Sequence, residues 1–242
     1  MAETGDGLNR RALPILIVLA TLGAACSSGN ESALPTQLRP TPAAPSQGAA
    51  VAQPSTTPPP SISSPPAATC GSGGDGIGAI QRTGERAFTG GPASVIDRTG
   101  TYVARVQTDR GEFTLLLATQ DVPNTTNNFV FLACTGYYDG LTFHRVEPAL
   151  IQGGDPNGNG TGGPGYTIPD EWNPKWQHGT GALGMARTSR PNTGGSQFYI
   201  TLFPQPGLDG DYTVFGRVLT GMEVVKGIKI NDKIVRVDVE QH

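Results

Sequence analysis

The sequence is poor in charge, cysteine and histidine, and each shortage removes a class of protein. Only 15% of its 242 residues are charged and the formal charge is −3, too thin for a coiled coil. With a pI near 5.6 it lacks the basic footprint of nucleic-acid binding, so no nucleic-acid partner is expected. The three histidines, His144, His178 and His242, stand at no ligand spacing and the three cysteines form no Cys-x-x-Cys pair, so no metal site is expected. The glycine-rich stretch Gly153 to Gly165 lacks the Gly-Lys-Ser/Thr ending of a phosphate-binding loop, and no Gly-x-Ser-x-Gly elbow occurs. What the chain has instead is 34 glycines and 21 prolines, more than a fifth of its residues against an average near an eighth. That excludes a helical bundle. The excess is clustered, which divides the chain into segments.

The first segment, residues 1–25, reads as an export signal. Arg10 and Arg11 precede the apolar run Ala12 to Ala25, 14 residues long. As a helix it reaches about 21 Å, short of the roughly 30 Å hydrocarbon core, so it fits a secretory h-region better than a membrane span. Leu22-Gly23-Ala24-Ala25-Cys26 resembles a bacterial lipoprotein signal, shifted by one place. The resemblance implies a lipid on Cys26 and an exported, membrane-tethered protein; an ordinary signal-peptidase cut at the same small residues is the alternative. Residues 26–90 read as a disordered tether. Pro35 to Pro66 holds ten of the prolines among Ala, Ser, Thr and Gln, too little apolar surface to offset the entropy of ordering.

Residues 91–242 carry β periodicity. Tyr102 to Val106, Glu112 to Leu117, Gln197 to Leu202, Val214 to Val218 and Ile234 to Val239 are short runs rich in β-branched and aromatic residues. Thr125 to Cys134 and Met222 to Ile228 are helical stretches. Such spacing suggests a mainly β barrel or sandwich. In Gln197 to Leu202, Gln197 and Tyr199 share the outward face while Phe198, Ile200 and Leu202 fill the interior; Arg145 lies opposite His144 and Val146. His144 is expected to be a hydrogen-bonded structural residue. Cys70 and Cys134 have the choice of a disulfide outside the cytoplasm or, as the favoured reading, a buried free thiol at Cys134.

Two segments are more specific. Phe143-His144-Arg145-Val146-Glu147-Pro148-Ala149-Leu150-Ile151-Gln152-Gly153-Gly154-Asp155 and Pro191-Asn192-Thr193-Gly194-Gly195-Ser196-Gln197-Phe198-Tyr199-Ile200 resemble the signature stretches of the cyclophilin-type peptidyl-prolyl isomerases. Asn127-Asn128-Phe129, Gly136-Tyr137-Tyr138-Asp139-Gly140, Gly184-Met185-Ala186 and Leu208-Asp209-Gly210 follow in family order, and the likeness runs from about Tyr102 to Val239. It implies a closed eight-stranded antiparallel barrel capped by two helices, an isomerase without cofactor, and partners that are proline-containing flexible polypeptides, met as a monomer. A proline-peptide binding module or holdase without turnover is the rival function.

The chemistry asks for little. A prolyl bond crosses a barrier of about 18 to 20 kcal/mol because the nitrogen shares its lone pair with the carbonyl. A catalyst has only to bind the twisted state more tightly than either planar isomer. An apolar seat, a fixed cation and polar groups that hold one flank are enough. By the resemblance Arg145 is the catalytic cation, Gln152 and Gln197 position the substrate, Tyr199 stands where the family has phenylalanine against the proline ring, and Leu150, Ile151, Leu208 and Tyr212 line the groove. Ala186 and Arg187 supply the edge that pairs with the peptide. The segment between Arg145 and Gln152 is one residue shorter than in the family, which leaves Leu150 as the wall or as the replacement of an aromatic, and Gly207 stands where some members have tryptophan.

Overall fold

A computed structural model of the protein describes residues 68–70 and 76–242. The signal segment, Cys26 and the proline-rich run lie outside the described residues.

Alternation builds the first hairpin. In β2 (Tyr102–Thr108) the side chains of Tyr102, Ala104 and Val106 are buried, and β3 (Gly111–Leu117) turns Phe113, Leu115 and Leu117 inward opposite them. The remaining strands are β1 (Ala68–Thr69), β4 (Arg145–Val146), β5 (Leu150–Gly153), β6 (Ala182–Met185), β7 (Phe198–Thr201), β8 (Val214–Thr220) and β9 (Ile234–Gln241). They form one antiparallel sheet in the order β1-β9-β2-β3-β8-β6-β7-β5-β4. The sheet curls until its far side meets the start of β9. Thr142 bridges Lys233, and the Phe143 N–H donates to the Asp232 carbonyl at 2.9 Å. Eight strands make the curl, and the two-residue β1 adds a ninth at the edge.

Helix α1 (Pro123–Cys134) begins on a proline, whose missing N–H costs nothing at a helix start. The Glu171 carboxylate accepts from the Asn124 and Thr125 N–H groups at 3.1 and 2.7 Å and so supplies the cap the local sequence lacks. Its buried face carries Phe129, whose ring meets Tyr138, Phe198 and Phe215 at centroid distances of 5.2, 5.7 and 5.3 Å. Helix α2 (Met222–Gly227) buries Val225 and packs against β3.

The folded chain starts earlier than composition suggests. Residues 68–90 were expected to belong to the tether, yet β1 pairs with β9, Ile77 is fully buried, and the Phe88 N–H donates to the Pro164 carbonyl at 2.8 Å. Arg82 fastens this strap: it pairs with Asp139 and reaches Asp238 at 2.9 Å and the Val237 carbonyl at 2.8 Å. Two further expectations are corrected. Cys134 is not a free thiol but is bonded to Cys70, with their Cα atoms 5.1 Å apart. Both ring nitrogens of His144 lack a hydrogen-bond partner among the described residues. Desolvation lowers the pKa of that imidazole, favouring its neutral form.

Candidate active site

Register assembles the site. Arg145 stands opposite Gln152 across β4 and β5, Gln152 opposite Tyr199 across β5 and β7, and Tyr199 opposite Gly184 across β7 and β6. One cross-strand row on the outer face of the barrel therefore carries cation, amide and aromatic ring. The next row, Val146, Ile151, Ile200 and Leu183, faces the core. This corrects one expectation: Ile151 is 0% exposed within the core and does not line the groove.

Above the outer row lies a cavity of about 270 Å³. Arg145, Gln152 and Arg187 give it polar edges; Leu150, Tyr199, Leu208 and Tyr212 give it apolar walls, with Ala186 between. Leu150 is a wall residue, as expected on either way of counting. Gln197 lies outside this cavity and lines a neighbouring one of about 320 Å³, which shares Gln152, Ala186 and Arg187 with the first. A groove of two chambers results, divided by the glutamines.

A directed chain of hydrogen bonds sets these groups. Arg145 Nη1 donates to Gln152 Oε1 at 3.1 Å, Gln152 Nε2 donates to Gln197 Oε1 at 2.9 Å, and Gln197 Nε2 donates to the Gly160 and Gly162 carbonyls at 3.1 and 2.8 Å. The loop carrying those glycines is itself held by the Asp155 carboxylate, which accepts from the Asn157 and Asn159 N–H groups at 2.8 and 2.9 Å. Glu147 grips Arg145 from the other side, accepting from Nε at 2.7 Å and Nη2 at 2.8 Å. This pairing raises the guanidinium pKa and lowers that of the Glu147 carboxyl. Of five N–H donors three are used, leaving one on each terminal nitrogen for a substrate.

Tyr199 is fixed by two residues that motif reading passed over. His178 Nε2 lies 2.7 Å from its hydroxyl, and His178 Nδ1 lies 2.7 Å from Asp209 Oδ1. An ionised Asp209 takes the proton side of Nδ1, so Nε2 accepts from the tyrosine hydroxyl. The His178 N–H and ring lower the Asp209 pKa, whereas burial pushes the Tyr199 phenol well up. No spacing rule joins positions 178, 199 and 209; only the replacement of phenylalanine by a tyrosine needing a partner pointed there. Arg187 stacks over the Tyr212 ring at 4.6 Å and pairs with Asp170 at 3.2 Å, while the Ala186 N–H is taken by the Gln197 carbonyl at 2.9 Å. That edge therefore has no Ala186 donor left for a peptide.

The ring of Tyr199 occupies the space a side chain at 184 would need. A Cβ there would stand 2.1 Å from its Cζ. Gly184→Ala is therefore expected to cost about 1 to 3 kcal/mol of stability through overpacking. Combining it with Tyr199→Leu should recover most of that loss in thermal unfolding, because the clash partner is gone.

An antiparallel barrel whose outer face holds a ring-sized apolar seat beside a fixed guanidinium and two anchored amides is suited to twisting a peptide bond rather than breaking one. Residues 103–241 match the family model described as cyclophilin type peptidyl-prolyl cis-trans isomerase/CLD. The chain is 48% identical over 139 residues to a peptidyl-prolyl cis-trans isomerase of Synechococcus elongatus, covering 56% of this chain and 94% of that protein. It is 53% identical over 121 residues to peptidyl-prolyl cis-trans isomerase B of Bacillus subtilis, covering 49% and 83%. The crystal structure of a Cryptosporidium parvum cyclophilin-type isomerase superposes with a TM-score of 0.52 at 32% identity, over 59% of this chain and 98% of that one. The same protein was also solved in the presence of the dipeptide Ala-Pro, with 34% identity over 58% and 98% of the two chains and a TM-score of 0.52. The chain belongs to the cyclophilin-type peptidyl-prolyl cis-trans isomerase family and is such an isomerase.

Proposed function

We propose that this isomerase acts outside the cytoplasm on proline-containing, flexible polypeptides, held to a membrane by a lipid on Cys26, and that Arg145 is its catalytic residue. The observation that carries the site assignment is the single row Arg145, Gln152, Tyr199 beneath a cavity with apolar walls. The proline ring sits against Leu150, Tyr199, Leu208 and Tyr212. As the bond twists, conjugation is lost, the nitrogen becomes pyramidal and its lone pair localises. The two free N–H groups of Arg145 meet that lone pair and the prolyl carbonyl, an interaction absent from the planar isomers and so spent on the barrier. Gln152 and Gln197, fixed through the Gly160 and Gly162 carbonyls, hold one flank while the other turns. The groups invoked are side chains and loop carbonyls of one chain.

The grip of Glu147 on Arg145 favours one rival, a groove that binds proline peptides as a holdase but turns them over slowly. Cis-trans exchange of an Ala-Pro peptide, timed with the protein present, separates the two. Acceleration far above the uncatalysed tens to hundreds of seconds is expected; binding without acceleration would leave the holdase. For the anchor, radiolabelled fatty acid should enter the expressed chain and be lost in Cys26→Ser. Equal label in both removes the lipid.

A further inference from the structure

The second chamber has a wall that cannot hold itself. Residues 160–165 include four glycines, the residue type with the most backbone freedom to lose, yet the Gly160 and Gly162 carbonyls must stand still to anchor Gln197. Asp155 pins the front of this loop. The strap pins its rear. The Phe88 N–H donates to the Pro164 carbonyl at 2.8 Å, and the Phe88 ring stands 6.3 Å from that of Tyr166. Pro164 and Tyr166 line the chamber, and Phe88 stands behind them. The approach is close: at Gly165, where φ is +92°, a Cβ would lie 2.6 Å from the Phe88 carbonyl oxygen.

We propose that Phe88 is a positioning residue of the substrate groove, holding the 160–166 loop so that the second chamber and Gln197 can grip a peptide's flank. The inference rests on the reading of Gln152 and Gln197 as the groups that hold that flank.

The path from Phe88 to Gln197 is continuous. The Tyr166 hydroxyl donates to Asn128 Oδ1 at 2.8 Å, and Asn128 Nδ2 donates to the Gly195 carbonyl at 2.7 Å. A Cβ on Gly195, two residues before Gln197, would lie 2.9 Å from Pro164 Cδ. The loop that Phe88 backs therefore rests on Gln197's own segment and also supplies its acceptors. Phe88 is itself well seated. Its ring meets Phe131 edge-on at 5.2 Å and Tyr137 at 6.3 Å, while Arg82 and the Gly84 N–H fasten the strap to Asp238 and to the Thr135 carbonyl. Phe88 precedes residues 103–241, the span matched by the family model, so this support comes from outside that span. The first chamber has other fixings: Glu147 holds Arg145 and His178 holds Tyr199. A loss of Phe88 should therefore be felt according to peptide length.

The test times cis-trans exchange of two substrates by the full chain: a blocked Ala-Pro dipeptide, which fills the first chamber alone, and the same unit carrying alanines on both sides, which enters the second. In Phe88→Ala, kcat/KM for the longer peptide is expected to fall about three- to tenfold, chiefly through KM, the scale of a lost aromatic contact. Turnover of the dipeptide should be kept. Phe88→Leu, the milder change, should show the same length dependence at smaller size, and Gln197→Ala, run beside them, should weaken the longer peptide too. Loss confined to the longer peptide in either Phe88 variant supports the proposal. Equal losses on both peptides in both variants, tracking the folded fraction in thermal unfolding, would make Phe88 merely structural and overturn it, as would full activity on both. If only Gln197→Ala weakens the longer peptide, this proposal falls alone. If Gln197→Ala leaves it untouched as well, the flank-holding reading falls and this one with it.

Discussion

Arg145→Ala is expected to lower kcat/KM for an Xaa-Pro peptide by about 10² to 10³, the usual loss when one preorganised donor aimed at transition-state charge is removed. Its affinity for the same peptide should change by less than about fivefold. The apolar seat of Leu150, Tyr199, Leu208 and Tyr212 is untouched, and the lost contact forms only as the nitrogen pyramidalises. Lysine should not rescue. An ammonium cannot hold the Gln152 amide and the Glu147 carboxylate while keeping two directed N–H groups for the substrate. Glu147→Gln separates catalysis from ion pairing. Both partners are about half exposed, 47% each, and such pairs contribute at most about 1 kcal/mol. Its effect should stay within about fivefold. A loss in Glu147→Gln as large as that in Arg145→Ala would place the catalytic requirement on the pair rather than on the arginine.

Removing the Cys70–Cys134 bond should cost about 4 kcal/mol. It closes a loop with a sequence separation of 64 residues, and the chain-entropy relation for that length gives about 4.3 kcal/mol at 25 °C. For a folded unit this large the loss corresponds to a fall in Tm of about 8 to 16 °C. Cys70→Ser with Cys134→Ser, or reductant added to the unmodified chain, should both show it. Turnover below the lowered Tm should be kept, since neither cysteine borders the groove. A Tm indifferent to reductant would show that the barrel does not depend on the bond.

The long strands were legible because one face of each is wet. Tyr102 to Val106 alternates buried with less buried residues, so its period-two pattern survives in the sequence. By contrast β4 has two residues, and the four residues of β6 are all buried, so neither shows a period; both were reached only through motifs. Strand parity places Gln197 and Tyr199 on the outward face correctly. The same alternation within β5 sets Ile151 opposite Leu150 and Gln152, on the inward row beside Ile200, so its assignment to the groove by motif position conflicts with the parity of its own strand. The strap was missed for another reason. Residues 76–90 are polar and glycine-bearing like a linker, and what holds them is distant: Arg82 on Asp238, and Gly84 N–H on the Thr135 carbonyl at 2.8 Å. Composition sees no partner a hundred residues away. His178 and Asp209 escaped likewise, because their task is defined only by the position of the Tyr199 hydroxyl.

The covalent bond between Cys70 and α1 also fixes how the barrel responds to being pulled. A tug on the chain ahead of β1 is met first by the short β1–β9 ladder and then, through the disulfide, by Cys134, the fully buried last residue of a helix seated in the aromatic core. The strap, the first hairpin and every residue from 71 to 133 lie on the bypassed side of that shortcut. Tension is thus shared between the β9 edge of the sheet and the end of α1, while the groove strands β4, β5, β6 and β7 lie away from β9 in the strand order and downstream of Cys134 in the chain. A domain wired in this way can be dragged by its leading end without its substrate face being peeled open.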